Sequence, residues 1–346
     1  MEKYELSFCL EKYLKFGSLE EFNYDEPVKI MNISLDDALI EYEKILEKEI
    51  NKLNTSNPIY TLSGGIDSSL IFSFLQNPTC FCSQVDGNDD YDFAKKLYPR
   101  VIKESGFNTI NIEDILIDIQ AFFPTPHCMV GDFYDWHIYQ QFPHKLIITG
   151  EEHSIVDILY ILSQNGSLIE RFFKTIEVFT DEEIYEFGYK PLSYNLRKNN
   201  IEHLITFVEE WWTVANRKIF FSNRKIRTES PYFSDEADSF YRRLPYSLKH
   251  NKKLKKAIAK KRLPEFISNR PKRTHQSRQS PNPVFLNNNK HQYNSLVNKY
   301  LKDENKKLFK YLSYELVQKY LNNYRKMWAL LNLSIWIETK HGGLYG

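Results

Sequence analysis

The sequence predicts an α/β fold, a doubly wound parallel sheet organised around a phosphate-binding loop and followed by a mostly helical C-terminal half. Three observations predict it. The run Tyr60-Thr61-Leu62-Ser63-Gly64-Gly65-Ile66-Asp67-Ser68-Ser69-Leu70 reads as a buried strand, a tight glycine turn and a helix start. Short apolar segments at Thr79 to Val85, Thr109 to Ile112 and Lys145 to Thr149 alternate with helical stretches such as Asp90 to Ser105 and Trp136 to Gln141. After about residue 165 the pattern is helical, without further convincing strands.

The first helix is announced by Ser34, an N-cap with Asp37 three residues on, and carried by Leu35, Ala38, Leu39, Tyr42, Ile45, Leu46, Ile50 and Leu53 at helical spacing. It leads into Pro58 to Leu62, an apolar run suited to a central parallel strand. Two consecutive glycines then permit backbone angles and close approaches that side chains block, leaving N–H groups free to face an anion. Ser63, Ser68 and Ser69 add hydroxyls, and the next helix points its positive end at the same place. Asp67 is the odd member: a carboxylate in an anion site repels its ligand unless a cation lies between. Its natural role is to hold Mg²⁺ bridging to phosphate oxygens. The motif is therefore one for a magnesium nucleotide. Neither Gly-Lys-Ser/Thr nor the dinucleotide glycine spacing is present.

Composition sets the remaining bounds. At 346 residues and 41.3 kDa the chain can bury a sizeable core. Cys9, Cys80, Cys82 and Cys128 lack metal-type pairing, and there is neither a signal-peptide pattern nor an apolar run long enough for a membrane helix. A reduced, cytoplasmic setting without membrane partners is expected. Cys80 and Cys82 lie in an apolar stretch and read as buried small hydrophobes rather than a redox pair. Residues 241–280 hold 14 Lys or Arg against one acid, leaving 32 basic and 44 acidic residues elsewhere. The plain reading is a solvated helix face over most of Lys249 to Arg262; the sharper one is a field that attracts triphosphate, pyrophosphate or a polyanionic substrate. Asn269 to Tyr293 is polar, contains three prolines and reads as a long binding loop. His127, His137 and His153 lack ligand spacing.

The SGGxDS run resembles the PP-loop of the ATP pyrophosphatase superfamily, whose members split ATP between its α and β phosphates. Further segments resemble the synthetase domain of asparagine synthetases and their relatives, the β-lactam synthetases and lasso-peptide cyclases. They are Phe81 to Val85, Ile147 to Glu151, Ser230-Pro231-Tyr232-Phe233-Ser234-Asp235, Leu244-Pro245, the run Arg262-Leu263-Pro264 through Arg270-Pro271-Lys272, and the closing helix Arg325 to Trp336. The resemblance extends from about residue 34 to 340. It implies a short N-terminal element over 1–33, read as a remnant of the glutaminase domain or an extra packing element, and a synthetase domain over 34–346. Within that domain, 34–165 would form the nucleotide-binding core and 166–346 a helical region carrying a catalytic-lysine loop at 269–293.

The resemblance also implies roles. Ser63, Gly64, Gly65, Ser68 and Ser69 would hold pyrophosphate; Leu62, Ser83, Thr149 and Gly150 would line adenosine; Asp67 would bind Mg²⁺. Lys272 would neutralise charge developing on the α-phosphate, or is one more solvated lysine. Glu151 would orient or deprotonate an attacking amine, or is a surface carboxylate in a turn. Two departures matter. Where the family turn continues Gly-Glu-Gly-x-Asp-Glu, this chain has Gly150-Glu151-Glu152-His153-Ser154-Ile155, so the second metal contact falls to Asp157 or Glu152. Glutamine-dependent members begin with a nucleophilic cysteine and a domain of some 200 residues before the loop, whereas this chain begins Met1-Glu2 with the loop at Ser63.

The implied activity is ATP-dependent amide formation. A carboxylate is adenylated with release of pyrophosphate, and an amine, or ammonia from a separate amidotransferase or carrier partner, attacks it. A specialised metabolite or peptide is the expected substrate. The rival readings are an RNA-modifying PP-loop enzyme such as a tRNA thiolase, disfavoured by the C-terminal half and the absence of C-x-x-C, and a degenerate non-catalytic subunit.

Overall fold

The computed structural model describes residues 10, 13, 14, 29–54, 57–83, 89–104, 111–122, 126, 141, 142, 145–151, 177–190, 227–270 and 287–340. Helix α1 (Leu35–Leu53) opens as anticipated, with Ser34 Oγ accepting the Asp37 N–H at 3.1 Å. It delivers the chain to β1 (Ile59–Thr61), followed by α2 (Ile66–Phe72), β2 (Thr79–Ser83), α3 (Asp90–Leu97), β3 (Ile102–Glu104) and α4 (Ile112–Phe122). Then come β4 (Leu146–Ile148), α5 (Asp181–Glu186) and β5 (Arg227–Glu229). The five strands form one parallel sheet in the order β3-β2-β1-β4-β5, with β1 at the centre. The chain winds outward from β1 in both directions, which is the predicted doubly wound arrangement.

Alternation along the strands divides the interior into two cores. Ile59, Phe81 and Ile147 face one, with α4, α5 and three helices from the end of the chain: α10 (Lys290–Leu301), α11 (Tyr314–Tyr320) and α12 (Tyr324–Lys340). Tyr60, Leu62, Cys80, Cys82 and Ile148 face the other, with α1, α2 and four helices from the middle: α6 (Asp235–Arg243), α7 (Tyr246–Lys249), α8 (Lys253–Arg262) and α9 (Glu265–Ser268). Both faces of the sheet are covered, as a parallel sheet requires. Leu10, Tyr13 and Leu14 are buried in the first core, where Tyr13 donates its hydroxyl to the Ala329 carbonyl at 2.7 Å.

Four expectations are corrected. The helix anticipated over Asp90 to Ser105 stops at Leu97 because Pro99 forces Tyr98 into extended backbone, and Ile102–Glu104 instead joins the sheet. The strand expected at Thr109 to Ile112 fails at its described end, since Asn111 Oδ1 accepts the N–H groups of Glu113 and Asp114 and Ile112 opens a helix. Residues beyond 165 do supply a strand, β5; its Arg-Thr-Glu sequence has no apolar signature because β5 is an edge strand. The loop assigned to Asn269–Tyr293 ends earlier than expected, since α10 begins at Lys290. Residues 136–140 of the helix expected at Trp136 to Gln141 lie outside the described residues. Among the described residues, no helix is long and apolar enough to cross a membrane.

Candidate active site

The loop between β1 and α2 sits at the carboxyl end of the central strand, where open α/β sheets bind ligands. Leu62 continues the ladder, donating its N–H to the Phe81 carbonyl at 2.8 Å, and the chain then turns through Gly64 at φ 65°. A Cβ on Gly64 would stand 2.5 Å from Phe93 Cβ and 2.8 Å from the Ala94 nitrogen, so the turn fits only glycine. The serines close the loop on itself. Ser63 donates its N–H to Ser68 Oγ at 3.1 Å, the two hydroxyls lie 3.0 Å apart, and Gly65 donates its N–H to Ser63 Oγ at 3.3 Å. Side-chain oxygens thus take the inward N–H groups that an anion would claim. Ser69 is fully buried, and its hydroxyl has no hydrogen-bond partner among the described residues.

The strand β4 supplies the opposite wall. A Cβ on Gly150 would lie 2.6 Å from both the Ser68 nitrogen and Cα, so the two loops touch backbone to backbone. Thr149 is buried and hydrogen-bonded through its N–H to the Glu229 carbonyl at 2.9 Å. Glu151 is half-buried, and its carbonyl accepts the Ser230 hydroxyl at 2.7 Å. The backbone of Ser83 ends β2 alongside. The structure brings together the β1–α2 turn, with Leu62, Ser63, Gly64, Gly65, Asp67, Ser68 and Ser69, and the end of β4, with Thr149, Gly150 and Glu151. Asp157 and Lys272 lie outside the described residues, as do Glu152 and all three histidines singled out above.

Asp67 has a neighbour that the sequence did not announce. Lys252 Nζ lies 2.5 Å from its Oδ2, although the two are 185 positions apart. Lys252 is 8% exposed, and its neighbour Lys255 is fully buried with its ammonium 4.3 Å from the Tyr232 ring and 4.6 Å from the Tyr241 ring. Tyr232 in turn donates its hydroxyl to the Asp67 carbonyl at 2.9 Å. The solvated face expected from Lys249 to Arg262 is thus corrected at these two lysines, whose burial is tolerable because one meets a carboxylate and the other two aromatic faces. Asn251 and Lys252, at φ 53° and 56°, both hold left-handed backbone, and this turn aims Lys252 inward.

Arg270 is the second residue missed. Its side chain is 8% exposed; it donates to the Ser63 carbonyl at 3.0 Å and to the carboxylates of Asp89 and Asp90, each at 2.7 Å, above the Phe93 ring at 4.1 Å. It ties the end of α9 to the β1–α2 turn and to the start of α3. The only advance signal was its place in the Arg-Pro-Lys run.

Mg²⁺ keeps most of its waters and takes one or two carboxylates plus substrate phosphates, so a lone Asp67 at the mouth of a phosphate turn fits a metal that arrives with its nucleotide. No cluster of three or more potential protein ligands occurs among the described residues. Cys80 and Cys82 are buried, and burial pushes each thiol up to about 12, as expected for packing groups.

Residues 224–338 match the family model for asparagine synthase. Over this stretch the chain is asparagine synthetase-like. The matched stretch runs from β5 to α12 and includes Ser230, Tyr232, Lys252, Lys255 and Arg270, the wall that holds Asp67 and Glu151. The match supports ATP-dependent amide synthesis in general. No curated protein matches the chain.

Proposed function

We propose that the protein is an AMP-forming amide synthetase: it adenylates a carboxylate with Mg·ATP, releases pyrophosphate, and passes the acyl group to an amine or ammonia. The observation that carries this reading is the Ser63–Ser69 turn, closed by Gly150 and flanked by Asp67 and Lys252 on an asparagine synthetase-like wall. When bound, Mg²⁺ supplies charge neutralisation between Asp67 and the phosphates. The chain's own groups do the rest. The N–H groups of Ser63 and Gly65 exchange serine oxygens for phosphate oxygens, and Lys252 adds a positive charge beside them. Arg270 holds the turn through the Ser63 carbonyl, and Lys272, two positions on in sequence, is the lysine assigned to charge developing on the α-phosphate. Glu151, its backbone pinned by Ser230, faces the amine.

The altered turn after Gly150 favours a specialised metabolite or peptide carboxylate over free aspartate, with ammonia-releasing or carrier proteins as partners in a cytoplasmic setting. Isotope exchange between pyrophosphate and ATP, run across a panel of carboxylates and peptides, is the test. Exchange that requires one acid class supports the proposal and identifies the substrate. Exchange dependent on RNA instead of any acid replaces it with the RNA-modifying reading, and no exchange with either replaces it with a binding role.

A further inference from the structure

The turn that brings Lys252 to Asp67 also borders a cavity of about 420 Å³. Leu35 and Ala257 line it together with Lys253, Lys256 and Lys260, and its wall is largely apolar. The lysines therefore contribute aliphatic stems to the wall and bring charge to its rim. His250 and Asn251 complete the lining, with Lys256 Nζ donating to Asn251 Oδ1 at 2.7 Å. No acidic residue lines the cavity, and among the described residues Lys253, Lys256 and Lys260 form no ion pair.

Cations elsewhere on this part of the chain behave differently: Arg242 pairs with Asp238 at 2.8 Å and Arg262 with Glu43 at 2.7 Å. Positions 253, 256 and 260 share one face of α8, where like charges repel. Three unneutralised cations around an apolar hollow are complementary to an anion that also has an apolar part.

We propose that this cavity is a docking site for an extended acidic peptide segment that presents an apolar side chain between carboxylates. The helical rise separates Lys253 from Lys260 by ~10 Å along the axis, and an extended chain covers about the same distance in three residues. A compact phosphate cluster instead calls for donors that converge on one point. The peptide would lie beside Asn251, one residue from the lysine that meets Asp67. The proposal goes beyond the adenylation reading and does not depend on it, because its readout is binding.

The test is fluorescence anisotropy of the full-length protein with a labelled probe peptide containing glutamates three residues apart and leucines between them. The wild-type protein is expected to bind it, and the glutamine counterpart of the peptide should bind at least about tenfold more weakly, the scale of several partly solvated ion pairs. The triple variant Lys253→Gln/Lys256→Gln/Lys260→Gln should lose about the same factor while keeping its thermal midpoint and its pyrophosphate exchange. A control variant, Lys44→Gln/Lys302→Gln/Lys310→Gln, removes equal charge from exposed sites and should bind like wild type. Equal loss in the control overturns the proposal, as does failure of the wild type to bind. Tighter binding of labelled oligouridylate, abolished in the same triple variant, would make the face an RNA site. Wild-type self-association that the triple variant loses, seen by sedimentation, would make a second copy of this chain the occupant.

Discussion

The two faces of the sheet are built to opposite specifications. On one, α12 buries every residue from Met327 to Ile337, and its polar members are satisfied internally: Gln120 donates to Asn332 Oδ1 at 2.8 Å, Asn332 to the Trp328 carbonyl at 2.8 Å, and Ser334 to the Tyr300 carbonyl at 3.0 Å. On the other, α8 buries Lys255 against the Tyr232 and Tyr241 rings, and the turn before it buries Lys252 against the Asp67 carboxylate. The difference teaches where stability and chemistry reside. An apolar core stabilises the sheet, while the opposite layer accepts left-handed backbone and buried ammonium groups to place charge at the carboxyl end of β1.

That division can be broken by substitution. Trp328→Ala removes a fully buried side chain from α12 and should cost ~3–5 kcal/mol in denaturant titration, while exchange per folded molecule stays near wild type. A matching loss of specific exchange would mean that the first core also shapes the site. Asp67→Asn keeps an acceptor for Lys252 but removes the charge that compensates its burial; exchange should fall by roughly a hundredfold or more, and the melting midpoint should fall with it. Unaltered exchange would remove Asp67 from the metal site. Asn332→Ala leaves the Gln120 amide buried without its acceptor and should cost about 1–3 kcal/mol, measured as a shift in denaturation midpoint at constant slope.

Gly150→Ala probes the contact between the two loops. A methyl group 2.6 Å from the Ser68 backbone must push the phosphate turn aside, so nucleotide affinity measured by calorimetry should fall about tenfold while the fold survives. The smallest effect is expected at the cysteines. With their thiols held up at about 12 by burial, Cys80 and Cys82 should resist iodoacetamide at pH ~8 until denaturant is added, as peptide mapping would show. Rapid native labelling at either would mean that the cleft-side layer opens on its own.

Legibility followed the range of the interactions. Ser34 capping α1 and the glycine turn after β1 are local and were readable directly. Strand β5 was not, because an edge strand of Arg227, Thr228 and Glu229 earns its place by pairing with β4 rather than by burying apolar side chains. Asp67 was readable as a candidate cation ligand from its place beside the glycine turn. Its lysine neighbour was not, since nothing in a run of similar lysines distinguishes Lys252 or Lys255 from Lys253 and Lys256. Only the hand of the Asn251–Lys252 turn decides which of them points inward.

By itself, then, the sequence determined the glycine turn and the sheet's central strand, because short-range steric rules and hydrophobic periodicity act between near neighbours in the chain. The tertiary structure decided which cation meets Asp67, how Arg270 joins Ser63 to Asp89 and Asp90, and which lysines remain around an open cavity. Those are contacts between groups far apart in sequence, and a charge run carries no record of which of its members will find a partner.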